Sequence, residues 1–358
     1  MLAVELKDLT YTYSVKTPFE KRALDRVNLA VEEGEFVGLI GATGSGKSTL
    51  IQHLNGLVKV QEGEVRVAGM NASDKKTLKS LRFTVGMVFQ YPEYQLFEDT
   101  VAKDVAFGPK NMKLEKDEID RRVRRAMEVV GLPYSEFAER SPFELSGGEK
   151  RRAAIAGVIA MEPKILVLDE PVAGLDPVGR REILALVKKL HEEVSPTVIM
   201  VSHYMDDIAE MADRIVALKD GRVVADGTPA EVFGAREELA AAGLALPTAA
   251  RIVDRLAARG ISLPRTIVTP RELADALQAY KSGGATAASG ATAAILHGDG
   301  EKTNVTAEAG NCEVTGGSSG ATAAILQGGH DETGGDTEPH TGCGEVTGTA
   351  EKEDGENV

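Results

Sequence analysis

The run Gly41-Ala42-Thr43-Gly44-Ser45-Gly46-Lys47-Ser48 sets three glycines, a lysine and three hydroxyl side chains in eight residues, a combination suited to gripping phosphate. Glycines let successive backbone N–H groups converge on phosphate oxygens, a lysine neutralises the outer phosphates, and a serine hydroxyl can ligate Mg2+. The apolar stretch Phe36–Ile40 precedes the run and the helical pattern Thr49–Asn55 follows it. Strand, loop and helix therefore come in the order that phosphate binding needs.

Two more runs carry chemistry. Ile165-Leu-Val-Leu-Asp169-Glu170 is an apolar strand ending in paired carboxylates. One carboxylate can organise Mg2+ while its neighbour polarises an attacking water, so Asp169 is assigned the metal and Glu170 the water. Leu145-Ser146-Gly147-Gly148-Glu149-Lys-Arg-Arg152 leads into the helical run Ala153–Met161 and offers backbone donors at a helix start. One chain thus holds two phosphate-binding elements.

The Leu145–Arg152 run, placed between the phosphate loop and the paired carboxylates, resembles the signature motif of the ATP-binding cassette superfamily. That resemblance implies ATP and Mg2+ as ligands. It also implies that Ser146, Gly147 and Gly148 contact the γ-phosphate of ATP held on the phosphate loop of an opposite cassette. Gln90, after the strand Thr84–Phe89, resembles the Q-loop glutamine, a further Mg2+ ligand. Ala173-Gly-Leu-Asp176 resembles the D-loop, and His203 the switch histidine that senses γ-phosphate. Thr49 completes the phosphate-loop set. Tyr13 stands where the family places an aromatic that stacks on adenine, with Tyr11 as the competing choice. Glu149 replaces the more usual Gln, and Val172 a common Thr; neither change removes a phosphate ligand.

Four weaker stretches narrow the resemblance: Tyr11–Glu20, Gln90–Phe97, Ser141–Leu145 and Ile155–Gly157. Together they are similar to energy-coupling factor (ECF) transporter ATPases over residues 1 to 280, and to the second of the paired ATPases. The resemblance implies a dimer with a second such ATPase, as heterodimer or homodimer, at the cytoplasmic face of a membrane. A membrane T component would dock near Gln90 and Glu93, with Glu98 and Asp99 adding acidic charge. The T component would link the ATPases to an S component that binds a vitamin or metal ion.

The positioning elements follow from pattern. Val4–Leu9, Val27–Val31 and Val65–Val67 join Phe36–Ile40, Thr84–Phe89, Ile165–Leu168, Val198–Val201 and Ile215–Leu218 as strands alternating with helical stretches, so the class is α/β. The phosphate-loop and carboxylate strands are continuously apolar, as strands covered on both faces are, whereas the early ones alternate and suit an antiparallel sheet. In family terms this is a P-loop NTPase with a RecA-like core, an antiparallel β subdomain and a helical subdomain.

A formal charge of −14 over 358 residues argues against nucleic acid as a partner. Residues 281–358 hold seventeen of the 38 glycines, no Arg, and SGATAAIL twice, at Ser289–Leu296 and Ser319–Leu326. That composition suits an acidic disordered tail. Both cysteines, Cys312 and Cys343, lie in it, so no disulfide framework is expected and a reducing compartment fits. Three regions are expected: a cassette at 1–235, a helical extension at 236–280 and the tail at 281–358.

Three rival readings stand beside transport of this type. An ATPase of another importer type would share the motifs. A soluble cassette ATPase of translation or DNA repair would show two cassettes or a long coiled-coil insertion, and here Leu114–Val130 is read as the only long charged helical stretch. A nucleotide-sensing subunit without turnover would lack Glu170 or His203, and both are present.

Overall fold

The computed structural model describes residues 1–287. The duplicated segment and both cysteines lie outside the described residues.

Among the described residues, ten strands form two sheets. Strands β1 (Leu2–Tyr13), β2 (Lys21–Glu32), β4 (Glu62–Val67) and β5 (Met70–Asn71) make an antiparallel sheet ordered β2-β1-β4-β5. The other sheet contains β3 (Phe36–Gly41), β6 (Val85–Val88), β7 (Ile165–Asp169), β8 (Thr197–Val201), β9 (Arg214–Lys219) and β10 (Arg222–Gly227), ordered β10-β9-β3-β8-β7-β6. Only β10 runs antiparallel in it.

The continuous apolar runs are explained by two cores on opposite faces of this sheet. Phe36, Ile40, Leu166, Leu168, Val198 and Met200 point into one core with the helices Gly147–Ile159 and Pro177–Glu193. Their neighbours Val37, Leu39, Ile165, Val167, Ile199 and Val201 point into the other, with the antiparallel sheet and the helix Lys47–Leu54. Successive strand residues face opposite ways, so a strand with a core on each side has no place for a polar residue. Each fully buried Leu or Ile contributes roughly 1.5–3 kcal/mol of transfer free energy, which fixes where the polar strand ends emerge.

The structure departs from the sequence expectation at four places. Strands β5 and β10 were not anticipated. The turn between β9 and β10 is Asp220-Gly221, both at positive φ (49° and 75°), the geometry of a tight two-residue hairpin. Lys116–Val129 is helical as expected, but Pro177–Glu193 is a second, longer charged helix. The expected helical end Ala249–Tyr280 is two helices, Thr248–Ala257 and Pro270–Ala287. Gly260 at φ +83° stops the first. The second restarts on a Thr269/Glu272 cap, where each residue's backbone N–H donates to the other's side chain. That second helix runs past residue 281, where the composition changes.

Candidate nucleotide site

Strand β3, inside the sheet between β9 and β8, delivers Gly41 at its C-terminal end, and the loop closes onto the helix Lys47–Leu54. Gly46 sits at φ +108°, and a Cβ there would meet the carbonyl oxygen of Ala23 at 2.4 Å. Glycine at that position lets the loop lie flat on β2. The Lys47 ammonium donates to the carbonyls of Gly41 (2.7 Å) and Ala42 (3.0 Å), bracing the loop from inside. Burial pushes the Lys47 pKa down, opposed by the charges of Glu170 and Asp169. Ser45 is buried, and its Oγ has no hydrogen-bond partner among the described residues.

A cavity of about 190 Å3 opens over this loop, lined by Tyr13, Lys21, Ala23, Gly44, Gly46, Lys47, Ser48 and Thr49. Tyr13 is 39% exposed at its mouth, and its hydroxyl lies 3.1 Å from Thr49 Oγ1. Tyr11 turns inward instead and packs edge-on against buried His53, ring centroids 5.1 Å apart. Of the two tyrosines, Tyr13 presents its ring to the cavity.

Beside the loop, β7 ends at Asp169 and the chain turns sharply at Glu170, a non-glycine residue at φ +49°. Such a conformation costs of order 1–3 kcal/mol and persists only where its surroundings enforce it. Here the Glu170 N–H donates to the carbonyl of Val201 on β8 (3.0 Å). The Glu170 carboxylate then lies between two side chains: Gln90 Nε2 donates to Oε2 at 3.2 Å, and His203 Nδ1 lies 3.3 Å from Oε1. Residues from three strand ends, β6, β7 and β8, therefore converge on one carboxylate. Burial, then the neighbouring Glu170 charge, raises the Asp169 pKa, while Lys47 and a hydrogen bond from Ser48 lower it.

Ser146 caps the helix Gly147–Ile159: its hydroxyl accepts the Glu149 N–H at 3.3 Å, and Glu149 Oε2 accepts the Ser146 N–H at 2.8 Å. The unusual Glu149 is thus half of a capping box. Gly147 and Gly148 have open space where a side chain would stand. No signature residue lines the cavity over the phosphate loop. Asp176 caps the next helix, accepting the Gly179 N–H at 2.7 Å.

Sequence reasoning missed the groups that hold these residues. His203 lies against the Tyr204 ring, centroids 4.1 Å apart, and the Arg180 guanidinium carbon sits 3.9 Å from the centroid of that ring. Arg180 also pairs with Asp207 through two hydrogen bonds of 3.0 and 2.6 Å. Glu93, expected to offer free charge to a partner, is engaged instead: buried Arg151 forks onto both of its oxygens.

The ABC transporter family model matches residues 24–173. The energy-coupling factor transporter ATP-binding protein EcfA2 of Clostridium perfringens is 51% identical over 277 residues, covering 77% of this chain and 97% of the relative. The EcfA2 of Symbiobacterium thermophilum is likewise 51% identical, over 283 residues, covering 79% and 98%. The chain belongs to the EcfA2 family of energy-coupling factor transporter ATP-binding proteins. Members are ABC ATPases, so the chain is an ATP-binding, ATP-hydrolysing transporter ATPase. Among solved structures, cbiO1 from Clostridium perfringens, part of the ABC transporter complex cbiONQ, superposes with a TM-score of 0.60 at 37% identity, covering 72% of this chain and 96% of that one. A dimeric ATP-binding cassette bound to ADP and Pi gives 0.56 at 34% identity, covering 63% and 98%. The EcfA2 resemblance reaches beyond the cassette into the C-terminal helices, which explains why it covers more of the chain than the ABC transporter model does.

Proposed function

We propose that this EcfA2-type chain hydrolyses Mg-ATP with Glu170 as the residue that polarises the attacking water. The observation that carries this reading is the position of Glu170 between Gln90 and His203. Gln90 holds one carboxylate oxygen by a hydrogen bond and His203 stands against the other, so the group is oriented before reaction.

The residues also fit a magnesium ion. Ser48, Gln90 and Asp169 supply hard oxygen ligands, and the side-by-side charges of Asp169 and Glu170 call for a cation. Because Gln90 uses its Nε2 on Glu170, its amide oxygen stays available for the metal. Magnesium would stabilise charge on the transferring phosphate. Tyr13 would cover the adenine, while backbone N–H groups of residues 41–49 and the Ser45 hydroxyl would receive the phosphates.

Ser146, Gly147 and Gly148, exposed and outside the cavity of their own chain, would close the site of a second ATPase, with Asp176 beside the shared interface. A solved relative of this fold is dimeric with ADP and Pi bound, which supports that arrangement. Hydrolysis would then energise uptake of a vitamin or metal ion through T and S components, with this chain peripheral on the cytoplasmic face. No helix among the described residues is long and apolar enough to cross a membrane. A groove lined by Leu96, Phe97, Phe107, Val158 and Met161 would be the docking place for the T component, with Glu98 left to meet its cations, since Glu93 is held by Arg151 and Asp99 pairs with Lys103 at 3.2 Å.

Glu170→Gln tests the central assignment in the assembled complex. Turnover should fall by on the order of 100-fold or more, with ATP retained and trapped. A parental rate would overturn the role of Glu170. Purification of the full chain from detergent-solubilised membranes should recover a polytopic protein and a second cassette ATPase; recovery of neither would overturn the transport role.

A further inference from the structure

We infer that Lys21 is a second phosphate-binding cation of this site, acting on nucleoside di- and triphosphates from the antiparallel sheet. The inference rests on the nucleotide reading of the cavity and deepens it. Lys21 opens β2 and is the register partner of Tyr13 on β1, so the aromatic and the cation flank one cavity wall together. Its ammonium lies 3.6 Å from where a Gly44 Cβ would stand, directly over the phosphate loop. Lys47 reaches the same loop from beneath, bonded to Gly41 and Ala42. A polyphosphate seated on the loop would lie between two ammonium groups, one held by backbone carbonyls and one on an exposed stem.

The surrounding charges favour this role. The next residue, Arg22, lies within ion-pair distance of Asp25, and Asp25 also takes Arg222. Lys21 itself has no carboxylate at ion-pair distance among the described residues. It is exposed, and its ammonium has no hydrogen-bond or ion-pair partner among the described residues, so no structural tie accounts for a cation on the cavity wall. Lys47 is tied to the loop's shape and to the reacting phosphate; Lys21 touches neither and serves affinity. Its loss should weaken ATP and ADP alike.

The test is calorimetric titration of the full chain with ATP and with ADP, each with Mg2+, at low and at high salt, for Lys21→Gln, Lys21→Arg and Lys47→Ala. Lys21→Gln should raise both dissociation constants about tenfold at low salt, with a shallower salt dependence, and Lys21→Arg should stay within about twofold of the parent. Nucleotide affinity within about twofold of the parent in Lys21→Gln, beside a large loss in Lys47→Ala, would overturn the Lys21 assignment and leave the site reading intact. No binding by the parent chain would overturn both. Lys21→Arg guards against misfolding: weakening as great as in Lys21→Gln would show that position, not charge, matters, and would also overturn the assignment.

Discussion

Arg151 of the signature helix forks onto Glu93, three residues past Gln90, with hydrogen bonds of 3.1 and 2.9 Å. The guanidinium is 2% exposed and spends its third nitrogen on the carbonyls of Pro171 and Ala173, which follow Glu170. One buried cation therefore ties the signature helix, the Q-loop and the segment between Glu170 and the D-loop into a single body.

Breaking that pair should be costly. Glu93→Gln leaves a buried guanidinium without its counter-charge, and the expected loss of unfolding free energy is about 3–5 kcal/mol. Replacing both residues together, as in Arg151→Met with Glu93→Leu, should recover most of the loss. Urea unfolding of the single and the double variant reads this directly, and a loss in the double variant as large as that in Glu93→Gln would refute it.

Tyr204 should act on the reaction through His203. Tyr204→Ala removes the ring that the histidine lies against and frees Arg180, and kcat is expected to fall roughly tenfold with the KM for ATP little changed. Tyr204→Phe should retain the parental rate. Equal defects in the two variants would assign the effect to the hydroxyl instead of the stacked ring.

Glu149 makes stability depend on pH. The Ser146 backbone N–H, then the Ser146 side chain, holds its pKa below the ordinary 4.5. Between the folded and unfolded values the unfolded chain binds more protons, so stability rises with pH there. The contribution is complete above about pH 4.5 and is lost as pH falls through the lowered folded value. Glu149→Gln, which cannot ionise, should be less stable than the parent near neutral pH and equal to it in acid. Urea midpoints across that window check the convergence.

Gly46→Ala should disable the phosphate loop while sparing the fold. The added methyl meets the Ala23 carbonyl at 2.4 Å, and the φ of +108° is strained for alanine. ATP affinity is expected to fall by on the order of tenfold or more, given strain of about 1–3 kcal/mol. Far-ultraviolet circular dichroism should be unchanged.

The phosphate loop, the paired carboxylates and the signature helix were legible because each needs its special residues next to one another in sequence. The apolar strands were legible because two cores force continuous hydrophobicity. Strand β10 was not, since its half-buried alternation at a sheet edge is weak, although Asp220-Gly221 was an available hairpin signal. Arg151 was hidden for a different reason. Its helix looks apolar from Ala153 onward, and only the tertiary fold brings Glu93, 58 residues earlier in the chain, to meet it. The same holds for Arg180 and Tyr204, whose stacking no spacing rule encodes.

The Thr248 backbone N–H and hydroxyl both donate to Asp206, at 2.6 and 2.9 Å, and Asp206 lies three residues beyond His203. The first turn of a C-terminal helix is therefore moored to the segment that carries the histidine. A displacement of the His203 segment would therefore not end inside the cassette but reach a helix that packs on Pro270–Ala287 and holds Arg236 through Asp254. The region after the cassette is thereby mechanically joined to the candidate site, and crosslinking it in place should slow turnover without touching a nucleotide contact.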